Sequence, residues 1–198
     1  MKDIAYLEEV NQFEMCEYCN SCGRRTRAKE GAKCSQGNFA CSERIITLAT
    51  CKFSQQLKEI IHDGMDEIEE VHIATRRNMD GETLSRGQDL HDFAHFQNCI
   101  ESKADYESKK NHISLSLCMD AFPLFKKTNY SITPVQIHIR DLKAHNRSLK
   151  RNNVIAALIG GSEKPSEVII NKILSKIRSF IAIGMRMDGW EYRFTLDT

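Results

Sequence analysis

The chain has 198 residues, 41% hydrophobic and 28% charged, the composition of an ordinary globular protein with room for one core and a small satellite module. Its 28 Lys and Arg nearly cancel its 27 Asp and Glu, so a polycationic field is excluded and any nucleic-acid contact must come from local patches. No apolar run approaches the roughly 20 residues that span a bilayer, and the acidic opening MKDIAYLEEV is unlike a secretory signal, so an intracellular chain without a membrane partner is expected.

Taken in order, residues 1–15 read as a short helix or lead-in. Residues 16–41 then crowd five of the eight cysteines: Cys16, Cys19, Cys22, Cys34 and Cys41. In a reducing compartment disulfides are rare, so a metal is the natural explanation of such a cluster. The pair Cys19-Asn-Ser-Cys22 has the two-residue spacing that lets both thiolates face one zinc ion, and Cys34 and Cys41 are the candidates for the other two corners. Cys16 is the alternate ligand, and the six-residue gap before Cys41 makes that residue the weakest of the four. The competing reading is reduced, partly buried thiols. A metal would supply folding free energy to a segment with very few apolar residues. Cys51, Cys99 and Cys118 are scattered and read as small buried hydrophobes.

From Ser42 to Ile68 a helical spacing is expected, carried by Ile45, Ile46, Leu48, Phe53, Leu57, Ile60, Ile61 and Met65. Residues 72–110 read as a polar connector. At Asn111 the pattern changes to period two: Ile113, Leu115, Leu117 and Met119 alternate with Ser114, Ser116, Cys118 and Asp120, a strand ending in an acid. SITPVQIHIRDL is a second strand with Pro134 near its start. NNVIAALIGG is a third, expected to be buried on both faces. Lys164-Pro165 opens a helix whose apolar face runs from Ile169 through Ile173 and Ile177 to Ile181. WEYRFTLDT is a fourth strand with Asp197 at its end. The expected division is a zinc module over 1–41, a helical or irregular connector over 42–110, and a core over 111–198.

The order strand, strand, strand, helix, strand resembles the RNase H-like fold, an α/β (α+β) core in which the first and fourth strands lie parallel and adjacent. In that fold Asp120 and Asp197 would meet at one edge. Two neighbouring carboxylates repel unless a cation lies between them, and hard oxygen ligands suit magnesium or manganese. Two such ions roughly 3.5–4 Å apart would activate a nucleophile for phosphoryl transfer. The bland alternative is that each aspartate is a turn former.

The stretches ISLSLCMDAFPLFKKTNYSITPVQIHIRDL and NNVIAALIGGSEKPSEVIINKIL resemble transposases of CACTA-type (EnSpm-like) DNA transposons. The matching positions are Asp120, Pro123, Phe125, Lys126, Tyr130, Ser131, Pro134, Lys164 and Pro165, with Asp197-Thr198 looking like the start of a further family segment. Ala121 and Thr133 depart from the pattern, which usually has Gly and Trp there. The resemblance implies DNA strand cleavage and transfer, DNA as the candidate partner, a nuclear location, and no small-molecule cofactor. It also implies a third acid beyond Thr198, so the chain reads as a truncated or domesticated fragment, an incomplete core inactive by itself. The alternative function is a non-catalytic, zinc-dependent module binding nucleic acid or protein.

Two basic groups are candidate phosphate contacts: Arg24, Arg25 and Arg27 between the cysteines, and Lys143, Arg147, Lys150 and Arg151 after the second strand. A solvated loop is the competing reading of each. His72, His91, His95 and His112 raise a metal site, but His91 and His95, four residues apart, have no third ligand nearby and read as ordinary surface side chains.

Overall fold

The structure is a computed structural model that describes residues 14–26, 45–79, 110–124 and 129–197. Eight strands are present among these residues: β1 (Glu14–Cys19), β2 (Ile45–Thr50), β3 (Lys110–Met119), β4 (Phe122–Pro123), β5 (Ser131–Ile139), β6 (Asn153–Gly161), β7 (Met185–Met187) and β8 (Trp190–Asp197). Four helices accompany them: α1 (Phe53–Asp63), α2 (Met65–Met79), the single turn α3 (Ala144–Arg147) and α4 (Glu167–Ile183). The hydrogen-bonded order is β1-β2-β6-β5-β3-β8-β7, with β4 added to β5. The sheet is mixed, since β3 and β8 run parallel while β1–β2, β2–β6, β4–β5 and β7–β8 are antiparallel.

This overturns the expected RNase H-like core of strand order βββαβ behind a separate zinc module. The chain forms one eight-stranded mixed sheet, and the cysteine segment is part of it: β1 pairs with β2 from Glu14↔Thr50 to Cys19↔Ile45, and β2 pairs with β6. Among the described residues, no three His, Cys, Asp or Glu side chains gather closely enough to hold a metal. The missing piece was β2. Ile45, Ile46, Thr47 and Thr50 fit helical spacing, but β-branched side chains lose rotamer freedom in a helix and pack well on a pleat. Ile46 and Leu48 are buried and their neighbours half-exposed, the alternation of a strand. The helix expected from Ser42 begins at Phe53 instead.

By spatial contact the chain forms two compact units, each gathered from three stretches. The first contains β1, β2, β4, most of β5 and β6, and α4 as far as Ile177. Its core is aliphatic: Ile46, Leu48, Val135, Ala157, Ile159, Ile169, Ile173 and Ile177 are buried. Ile169, Ile173 and Ile177 fall four apart on α4, one face of a helix. Strand β6 largely alternates buried and half-exposed positions, with Ala156 and Ala157 buried in succession.

The second unit holds α1, α2, most of β3, α3, β7, β8 and the end of α4. Leu57, Ile61 and Ile68 from the helices, Ile113 and Leu115 from β3, and Tyr192 and Phe194 from β8 fill its core. Phe180 and Phe194 stack with ring centroids 5.1 Å apart. Burial pushes the Tyr192 phenol up to about 12, and its hydroxyl donates to Met65 Sδ. Strands β7 and β8 turn at Asp188-Gly189, both at positive φ (51° and 80°), the pairing that a two-residue hairpin with right-handed twist requires.

One buried polar contact organises this unit. His72 on α2 and Asp141 just after β5 are 2% and 1% exposed at their side chains and meet at 2.5 Å. The second Asp141 oxygen accepts the Ser114 backbone N–H of β3 at 2.6 Å. Replacing one member of a buried, hydrogen-bonded pair strands the other, at a cost of about 3–5 kcal/mol. Asp141→Ala is therefore expected to lower unfolding free energy by at least about 3 kcal/mol in urea denaturation, and a loss under about 1 kcal/mol would show that the contact is dispensable.

Candidate functional site

The site grows from the end of β1. After Cys19 the chain reverses within five residues: Gly23 N–H donates to Cys19 O at 2.8 Å, Cys19 N–H to Arg24 O at 2.9 Å, and Thr26 N–H to Glu17 O at 2.8 Å. Tyr18 and Arg25 face each other across this turn as an antiparallel bridge. Gly23 adopts φ +67°, and a Cβ there would stand 2.5 Å from Val168 Cγ1 and 3.2 Å from Lys172 Cε. Only glycine suits both the backbone and the close approach to α4. The turn is fastened a second way through Asn20, which is buried. Its amide donates to Lys164 O at 2.9 Å and accepts from Ser166 N–H at 2.7 Å, while Ser166 Oγ donates to Asn20 O.

Cys19 is fully buried, and the partly buried Cys22 packs against it. A strand points residues three apart to opposite faces, so Cys16 does not share a face with Cys19. Its thiol instead lies 3.6 Å from Glu14 Oε1. Cys19 and Cys22 thus form the natural thiol pair. Cys34 and Cys41 lie outside the described residues, as do Cys99, Arg27, His91 and His95. Cys51 is a structural thiol, pushed by burial up to about 11, whereas Cys118 is exposed rather than buried.

Between the turn and α4 runs an open groove lined by Tyr18, Arg24, Arg25, Asn171, Lys172 and Ser175. Lys172 Nζ lies 5.4 Å from the Tyr18 ring centroid, a cation–π distance. Burial, with a smaller push from Cys16, raises the Tyr18 phenol above its ordinary value of 10.0, so it stays a neutral hydroxyl donor. Arg25 lies 3.7 Å from Glu14, but both side chains are more than half exposed, and such pairs hold little in water. The groove thus joins cations, amide and hydroxyl donors and an aromatic ring.

The acidic pair is placed differently. Strands β3 and β8 are adjacent and parallel, but their register sets Asp197 opposite Ser116, and Asp120 follows four residues later in the chain, exposed and past the end of β3. The ladder does not bring Asp197 opposite Asp120. The second basic group serves largely to hold its own loop. Lys143 donates its backbone N–H to Glu67, and its ammonium lies 2.5 Å from Glu70, whose hydrogen bond raises the lysine above its ordinary value. Arg147 Nε donates to Leu142 O at 2.6 Å, and only Lys150 and Arg151 remain on an exposed turn.

Sequence reasoning missed Tyr18, Asn20, Asn171 and Lys172. Their signal was present in α4: Val168, Asn171, Lys172 and Ser175 recur at helical spacing opposite Ile169, Ile173 and Ile177. The pair His72–Asp141 was missed as well, because a buried carboxylate and a surface one look alike in sequence.

The fold is a mixed sheet with a thiol-bearing turn beside an open groove. The sequence profile of the family described as a protein of unknown function (DUF1258) matches residues 4–188, and the chain belongs to that family. No curated protein matches it. Among the described residues, no helix is long and apolar enough to cross a membrane.

His138 on β5 provides a pH-dependent reporter. Burial, reinforced by Arg140, lowers its imidazole below the ordinary 6.5, and its buried Nε2 has no hydrogen-bond partner among the described residues. The folded state thus binds a proton less readily than the unfolded chain, so this contribution is intact above about pH 6.5 and is lost as pH falls through the lowered folded value. His138→Gln should flatten the fall of the urea midpoint between pH 7 and 5, and an unchanged profile would refute the assignment.

Proposed function

We propose that the chain is a non-catalytic, zinc-dependent DNA-binding protein whose contact surface is the groove between the Cys19–Arg25 turn and α4. The observation that carries this reading is one open groove lined by Arg24, Arg25 and Lys172, with the Lys172 ammonium over the Tyr18 ring. Phosphates would be held by the cations, and the ring offers a face on which a base can stack. A nuclear location follows from that partner.

Zinc would have two of its four ligands at the turn. Cys19 and Cys22 would give two thiolates, presented by a turn whose glycine conformation and backbone bonds are already those of a tight loop. Cys34 and Cys41 are the proposed remaining ligands. The metal would stabilise the segment that carries Arg24 and Arg25, so its role is structural. The strand-transfer alternative needs Asp120 and Asp197 to share magnesium or manganese. The β3–β8 register, which sets Ser116 opposite Asp197, lends that reading no support.

Fluorescence anisotropy with a labelled single-stranded DNA oligonucleotide should show binding that weakens steeply between 50 and 200 mM salt. Reversing Arg24 and Lys172 together to glutamate should weaken it at least about tenfold and shallow the salt slope by about two phosphates. Absence of binding at 50 mM salt would end the proposal. Metal analysis of the purified protein should find zinc, and Cys19→Ser or Cys22→Ser should lose it; equal metal content in all three would remove the thiolate site.

A further inference from the structure

The turn that ends β1 holds two thiols in contact, one sealed and one open to the groove. Cys19 is fully buried, while the half-buried Cys22 packs against it and lines the groove beside Arg24 and Lys172. We infer that this pair is a peroxide-oxidisable dithiol: a hydroperoxide entering the groove oxidises Cys22, and Cys19 closes the disulfide behind it. The consequence for metal occupancy rests on the proposed zinc site, whereas the disulfide itself does not. The backbone sets the reach. Gly23 N–H donates to Cys19 O at 2.8 Å, and a turn closed in this way keeps Cα atoms three residues apart within about 7 Å, a separation that a disulfide spans.

Among the described residues no other cysteine combines access with a neighbouring thiol. Cys16 is buried on the opposite face of β1, with its thiol beside Glu14 Oε1. Cys51 is buried, and burial pushes its thiol up to about 11, which leaves little thiolate to react. Cys118 is exposed on β3, four strands from β1 in the sheet. The oxidation balances in two steps. The Cys22 sulfur attacks the O–O bond and takes a hydroxyl, so the peroxide leaves as an alcohol, or as water from hydrogen peroxide. The Cys19 sulfur then displaces that hydroxyl, which departs as water with the Cys19 thiol proton as the S–S bond closes. Two thiols lose two electrons and one peroxide gains them. The turn stays closed throughout, because its three backbone hydrogen bonds and the Asn20 contacts to Lys164 and Ser166 do not involve sulfur. A dithiol reductant therefore restores the starting state, and zinc, which would need both thiolates, is held only by the reduced chain.

Hydrogen peroxide added to the reduced full chain, followed by alkylation and peptide mass mapping, should give a Cys19–Cys22 disulfide that dithiothreitol reverses. Cys19→Ser should stop at a Cys22 sulfenic acid that dimedone traps, Cys22→Ser should leave Cys19 reduced, and Cys16→Ser should behave as wild type. Urea midpoints check that each variant is folded. In zinc-loaded protein the same treatment should release the metal in step with the disulfide. Reduced protein that holds no zinc would end the metal site alone, since mass mapping still reads the disulfide on the same sample. A disulfide joining Cys19 or Cys22 to any other cysteine, a stable Cys22 sulfenic acid in wild type, or both thiols still reduced after Cys118 has been oxidised would each overturn the inference.

Discussion

The carboxylate of Asp141 is the contact on which the second unit depends. Its two oxygens are engaged by different elements, one by His72 of α2 and the other by the backbone of β3 at Ser114, and the neighbouring Arg140 N–H returns a bond of 2.8 Å to Ser114 O. A buried charge tolerates few arrangements, because each oxygen must keep its donor and the surrounding dielectric penalises any lapse. Apolar burial drives the collapse of Leu57, Ile61, Ile68, Ile113 and Leu115, but hydrophobic contact is non-directional. The Asp141 contact adds direction, fixing the helix, the strand and the loop in one relation. The loop that begins there also carries Lys143 and Asn146 to Glu67.

The first unit solves a similar problem with backbone geometry. Its turn at the end of β1 is closed by three backbone hydrogen bonds and seated on α4 by a glycine that leaves no room for a side chain. Asn20 then ties the turn to residues 164–166 just ahead of the helix. These fastenings bring together residues more than 140 positions apart in sequence, Tyr18 and Lys172 among them. The cations of the groove are carried by this hydrogen-bonded turn and by α4.

Much of the local structure was legible. The alternation in HISLSLCM, the apolar spacing of α4 and the run NNVIAALIGG each identify an element, because side-chain period depends only on backbone type. The hairpin at Asp188-Gly189 also carries a readable dipeptide, just ahead of the strand signal in WEYRFTLDT. The failure at β2 has a specific cause. Ile45, Ile46 and Leu48 satisfy helical spacing as easily as alternation in so short a window, and reading them as helix hid β2, with it the pairing of β1 and the true extent of the sheet. Asp120 and Asp197 each end a strand, but register is not written in either strand separately. A shift of four residues separates a shared edge from the pairing of Asp197 with Ser116.

What the sequence determined by itself was the set of periodic segments, the near-neutral charge, and the thiol spacing at Cys19 and Cys22. These follow from chain neighbours and cost nothing to read. The tertiary structure alone decided which strands are partners, that Asp141 and His72 are buried together, and that Tyr18, Arg24, Arg25 and Lys172 share a groove. Each of those depends on packing between distant segments, where burial sets the electrostatic environment and the ladder sets which side chains meet.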